Sequence, residues 1–220
     1  MATPLILLRA AVLLTCAGLA LSLLPCPPCG THPVPYPLST GPTCGDPWYK
    51  IRCDNNATLL FDSSNNTYPI TSISPYDQRL VIALPPIDAS TCVAADFPTN
   101  GLQLNRSAPF IITNTNTVLY LNCNDSILRS PLDCGPDSLC HVYINGTSGA
   151  RACGAAACCS FRTGGSTTEY RLRLRPEGCR AYRSFVRLNP KLPADQWPQP
   201  SVELQWASPP EPPLAPLALG

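Results

Sequence analysis

Histidine is nearly missing from this chain, which holds only His32 and His141. Zinc sites are assembled from closely spaced Cys and His pairs. A second close pair with histidine is not found here, so no metal is expected. Nucleotide chemistry is excluded in the same way. There is no P-loop, no Gly-rich loop ahead of a helix, and nothing like the H-R-D or D-F-G motifs of kinases. No G-x-S-x-G occurs, and His32 lies among prolines, so a hydrolase triad has no seat. His141, next to Cys140, reads as a structural residue in a strand. No pair of carboxylates stands out for glycoside hydrolysis. Aromatics are scarce at 7%, which limits the core. What is left is a non-enzymatic chain with no cofactor and no nucleic-acid partner.

Long apolar runs are also absent, with one exception. Leu5 to Leu24 is almost wholly apolar, Arg9 is its only charge, and the small residues Ala17, Gly18 and Ala20 come late. That is the layout of a secretory signal peptide over residues 1–25, cleaved between Ala20 and Cys26. The h-region from Ala10 to Leu24 is short of the about 20 residues that span a bilayer. An uncleaved, membrane-attached anchor is the alternative. The expected destination is extracellular.

Cysteine is abundant. Thirteen occur, and Cys16 falls within the signal. The twelve others are Cys26, Cys29, Cys44, Cys53, Cys92, Cys123, Cys134, Cys140, Cys153, Cys158, Cys159 and Cys179. An even number in a secreted chain is a disulfide framework, although its pairing cannot be read from sequence. The C-x-x-C at Cys26–Cys29 belongs to that framework. A redox pair sits at a helix N-terminus, whereas THPVPYP follows here and cannot be helical. Adjacent Cys158 and Cys159 point to opposite faces of a strand and must bridge to different partners. Five N-x-Ser/Thr sequons, at Asn56, Asn65, Asn105, Asn124 and Asn145, suit the same compartment as surface glycosylation sites.

Helical periodicity is scarce, and short alternating segments bounded by Pro, Gly, Asn and Asp recur. The candidates are 48–53, 58–61, 79–84, 110–113, 117–123, 141–144, 168–175 and 182–188. They predict a mainly β, disulfide-rich, antiparallel extracellular protein. Gly164-Gly165 suggests a hairpin between two such runs. The cysteines divide six and six, predicting Cys-rich units over 26–127 and 128–190, each able to close on itself. A Pro-rich, disordered tail is expected over 191–220. Charge divides the chain as well. From Gly30 to Cys140, five Lys/Arg face nine Asp, whereas from His141 to Lys191 nine Lys/Arg face two Glu.

The basic half contains YRLRLR, Tyr170 to Arg175. In a strand, Arg171, Arg173 and Arg175 share one face at about 6.6 Å spacing, a row able to meet a repeating polyanion. Guanidinium groups take carboxylates in two-point fashion. The competing reading is an ordinary half-buried strand with a charged solvent side. Trp48 and Tyr49 either stack on sugar rings or pack into the core.

One group of short motifs is more specific together than singly. Cys29-Gly30, Pro35-Tyr36-Pro37-Leu38, Cys44-Gly45-Asp46 and Tyr49-Lys50-Ile51-Arg52-Cys53 resemble the galacturonan-binding ectodomain of plant wall-associated receptor kinases. Tyr68 to Ile73, Arg79 to Ile82, Cys92 and Val118 to Cys123 extend the likeness. Cys158-Cys159 and Gly178 to Tyr182 resemble the cysteine-rich C-terminal module that accompanies that domain. Leu38 stands where the family has Phe. The family continues into a membrane span and a kinase, and neither is found by Gly220, so the chain reads as a free ectodomain. The resemblance implies non-catalytic binding of cell-wall pectin (polygalacturonate), with Arg171, Arg173, Arg175, Lys50, Arg52 and Trp48 as candidate contacts. The alternative is a protein-interaction ectodomain whose partner is a membrane receptor.

Overall fold

The computed structural model describes residues 24–124, 132–147, 150, 153–154, 158–165 and 167–210. The expected signal segment lies outside them except for its last two residues. The structure is mainly β. A ribbon of β1 (Cys26–Cys29) and β2 (His32–Val34) opens the chain. Four antiparallel strands follow: β3 (Arg52–Asp54), β4 (Thr58–Asp62), β5 (Thr67–Ser74) and β6 (Arg79–Ala83). Alternation explains them. In β4, Leu59 and Phe61 face the core and Thr58 and Asp62 face water, and β6 buries Leu80 and Ile82.

Two further strands complete this sheet, β13 (Ser201–Trp206) and β8 (Phe110–Ile112), in the order β3-β4-β5-β6-β13-β8. β13 pairs with β6 on one side and β8 on the other. The segment expected to be a disordered tail therefore supplies an interior strand. Val202, Leu204 and Trp206 are buried there, and so is Glu203. A second sheet places β9 (Asn116–Cys123) between β10 (Cys159–Arg162) and β12 (Cys179–Val186). A third pairing joins β7 (Gly101–Gln103) to β11 (Arg171–Arg173). The glycine pair does not make a hairpin, because β10 and β11 pair with different partners in different sheets. The run containing His141 is helical: α1 (Leu139–Gly146) is capped by Ser138, whose Oγ accepts from the His141 backbone N–H.

All twelve cysteines are bridged, as 26–44, 29–53, 92–153, 123–179, 134–159 and 140–158. Cys158 and Cys159 take different partners, as strand geometry requires. The two halves do not close separately. Cys92–Cys153 and Cys123–Cys179 cross the 127/128 boundary, as do the β9–β10, β9–β12 and β7–β11 pairings. One continuous core runs through all of them. In the chain-entropy account, bridges of these separations contribute about 3–4 kcal/mol each by restricting the unfolded chain, ahead of any strain.

Candidate functional site

The first candidate surface is built around the turn that follows Cys44-Gly45-Asp46. Gly45 has φ +63°, and a Cβ there would lie 2.2 Å from the Leu38 carbonyl oxygen, so only glycine fits. Asp46 then caps a short 3₁₀ turn over Pro47–Tyr49, its carboxylate accepting from the Trp48 N–H at 2.9 Å. The tight turn sends neighbouring side chains to opposite sides. Tyr49 is buried edge-on against Phe110, with ring centroids 6.3 Å apart. Trp48 is 70% exposed. Of the two aromatics, one is a core residue and the other is a free indole surface.

Trp48 borders an open groove of about 480 Å³, lined also by Lys50, Asp62, Ser64, Asn105 and Ser107. The far wall comes from the β4–β5 turn and from the loop after β7. The Ser64 N–H donates to the Gln103 carbonyl, which holds the two together. Among the described residues, Lys50 has no carboxylate at ion-pair distance. Arg52 does not contribute a free charge. Its Nε and Nη2 donate to Asp62 at 3.0 and 2.9 Å, and Asp54 lies 3.9 Å away. That two-point pair holds the Asp62 carboxyl below its ordinary range.

The second candidate surface is the arginine row. Arg171, Arg173 and Arg175 are exposed, while Leu172 and Leu174 are wholly buried. The strand itself ends at Arg173, and Arg175 continues the alternation. None of the three has a carboxylate at ion-pair distance among the described residues, in contrast to Arg52, Arg79 and Arg187. Arg173 and Arg175 border a smaller cleft, of about 230 Å³, with Tyr120 and Leu132. Burial pushes the Tyr120 hydroxyl up to about 12, against the Arg173 backbone and the charges of Arg171 and Arg175.

The two surfaces adjoin through β7. Gly101–Gln103 pairs with Arg171–Arg173, and the next two residues, Leu104 and Asn105, line the Trp48 groove. The Leu104 N–H donates to the Tyr170 carbonyl at 2.7 Å, and Arg106 stacks over the Tyr170 ring at 5.8 Å. β7 thus links the groove of Trp48 and Lys50 to the strand that carries Arg171 and Arg173, whereas Arg52 is held in a pair with Asp62. Ser63, Ser64, Asn105 and Ser107 were missed as groove residues. The only local sign of them was the sequon at Asn105. The five sequon asparagines are all exposed. No group of three His, Cys, Asp or Glu able to hold a metal occurs among the described residues.

Residues 26–84, which contain the capped turn, Trp48, Lys50 and the first two disulfides, match the family described as wall-associated receptor kinase galacturonan-binding. The chain carries a domain of that family. It is 47% identical over 193 residues to wall-associated receptor kinase-like 20 of Arabidopsis thaliana, and 43% identical over 195 residues to wall-associated receptor kinase-like 15 of the same plant. Each alignment covers 85% of this chain, which spans only 29% and 30% of those relatives' lengths. No solved structure matches. The Cys-Gly-Asp of the galacturonan-binding-family domain now has a physical reason. Cys44 anchors it to Cys26, Gly45 permits the turn, and Asp46 caps it. No helix among the described residues is long and apolar enough to cross a membrane.

Proposed function

We propose that the chain is a non-catalytic extracellular module that binds de-esterified pectin, with uronate carboxylates lying along Arg171, Arg173 and Arg175. The family match at 26–84 supports the ligand class. The observation that carries the site is the unneutralised row: three exposed guanidinium groups at alternate positions, none with a carboxylate at ion-pair distance among the described residues, unlike Arg52, Arg79 and Arg187. Where its Trp48 face is uncovered, the groove beyond β7 extends the footprint, with Lys50 for a further carboxylate and Trp48 for a sugar face.

Each exposed charge pair contributes about 0.2–1 kcal/mol, so affinity must accumulate over several contacts along one polymer. Binding should weaken steeply as salt shortens the Debye length from about 10 Å at 0.1 M to about 3 Å at 1 M. The test is co-sedimentation of the purified chain with polygalacturonate and with fully methyl-esterified pectin across that salt range. Only the charged polymer should retain the protein. Replacing Arg171, Arg173 and Arg175 together by Gln should abolish retention without changing the unfolding midpoint. Retention unchanged in the triple variant would remove the row from the site.

A further inference from the structure

We propose that the Trp48 groove is roofed by the chain's own N-linked glycan, carried on Asn105. The sequon is Asn105-Arg106-Ser107, and both Asn105 and Ser107 line the groove that Trp48 borders. Asn105 is exposed, and its Oδ1 accepts from the Ser107 N–H at 2.9 Å. That turn leaves Nδ2, the atom that takes the sugar, with no protein partner among the described residues. Asn65, in the neighbouring turn, is arranged differently. It donates its Nδ2 to the Thr99 carbonyl and does not line the groove.

The attachment is ordinary secretory chemistry. Asn105 Nδ2 displaces the polyprenyl diphosphate from the anomeric carbon of a lipid-linked oligosaccharide, forming the C–N bond and losing one proton. The first sugars then start inside a groove whose volume, about 480 Å³, lies in the range of sites that enclose small ligands. Across it stands the most exposed tryptophan of the chain, a large apolar face with no protein cover. The C–H face of an N-acetylhexosamine is the natural complement of an indole ring. Where galacturonan is concerned the inference rests on the proposed function. A glycan on Trp48 confines the polymer to the arginine row, and a chain lacking it opens the groove as well.

Tryptophan fluorescence isolates the effect. The chain has three tryptophans, and Trp197 and Trp206 are only 7% and 1% exposed, so collisional quenching by acrylamide reads Trp48 almost alone. The experiment uses the chain secreted from a eukaryotic host, with glycopeptide mapping of Asn105. Native peptide:N-glycosidase treatment, which removes the whole glycan, Asn105→Gln and Ser107→Ala should each raise the quenching slope roughly twofold, since one ring face is uncovered. Asn145→Gln, which removes a sequon on α1, should leave it unchanged. An unmodified Asn105, or a slope that does not respond to loss of its glycan, overturns the proposal. Polygalacturonate is then added to the glycan-free chain. Protection of Trp48 from quenching places the polymer in the opened groove. Failure of every form to bind polygalacturonate sinks the pectin reading and leaves the glycan roof standing.

Discussion

Replacing Glu203 by Ala tests the central sheet at its least expected point. Glu203 is 4% exposed on β13 and is the acceptor for groups drawn from three distant segments. Arg79 reaches Oε1 at 2.8 Å and Arg187 reaches Oε2 at 3.3 Å. The Thr113 and Thr115 hydroxyls donate to Oε1 at 3.1 and 2.7 Å. Removing one partner of a buried ion pair destabilises by about 3–5 kcal/mol. Here the arginine side chains are 25% and 62% exposed, so both relax partly toward water and the lower end applies. One threonine hydroxyl also loses its acceptor, about 1 kcal/mol, while the other can turn its proton onto its neighbour in the Thr113–Thr115 pair. Urea unfolding with disulfides intact should therefore show Glu203→Ala less stable by about 3–4 kcal/mol at an unchanged slope. Arg187→Gln, at the wet end of the pair, should lose less than about 1 kcal/mol. A loss below about 1 kcal/mol for Glu203→Ala would refute the reasoning, because a buried carboxylate with four donors would then contribute no more than a surface one.

Other outcomes follow from the same structure. Truncation after Pro200 removes β13 and should abolish cooperative folding, scored as loss of the urea unfolding transition. Gly45→Ala should destabilise by more than about 2 kcal/mol, since its Cβ has no room beside the Leu38 carbonyl; the urea midpoint reports it. Asp96 is buried and takes the Tyr68 and Tyr182 hydroxyls on Oδ2 at 2.9 and 2.8 Å, and burial raises its carboxyl. A raised folded value means stability that is full below the ordinary carboxylate value of about 3.9 and is lost as pH rises through the raised one. Subtracting the Asp96→Asn profile from that of the wild type should give a difference that falls with rising pH; a flat difference contradicts the assignment.

Much of the fold was legible because alternation is a local signal. Thr58–Phe61, Arg79–Leu84 and Thr117–Cys123 coincide with β4, β6 and β9 to within a residue or two. β13 was not read from the sequence, although Val202, Leu204 and Trp206 alternate with Ser201, Glu203 and Gln205, because the prolines on either side mimic a linker. The burial of Glu203 was not legible either, since it looks like a solvent residue until Arg79, Arg187 and the threonines are folded around it. β5 was hidden similarly by Pro69 and its hydroxyl residues, two of whose neighbours face water. His141 went to a helix because Ser138 caps it and Cys140 and Ile144, one turn apart, share the buried face. At the candidate site, the exposure of the arginine row was readable from the leucines between. The diversion of Arg52 into Asp62 was not, because that pair depends on β3–β4 register, and the groove is made of residues some forty positions apart.

The position of β13 also sets a timetable. A chain made from its N-terminus forms the 26–44 and 29–53 bridges after about a quarter of its length, whereas β6 and β8 wait for residues 201–206. Until then both strands carry open backbone edges with Leu80, Ile82, Phe110 and Ile112 uncovered, the kind of surface that pairs with another chain. Non-local pairing of this sort is slow to form. Nascent molecules therefore stay open to association with one another until the last strand is inserted, so the yield of folded protein should depend on residues far from its candidate site.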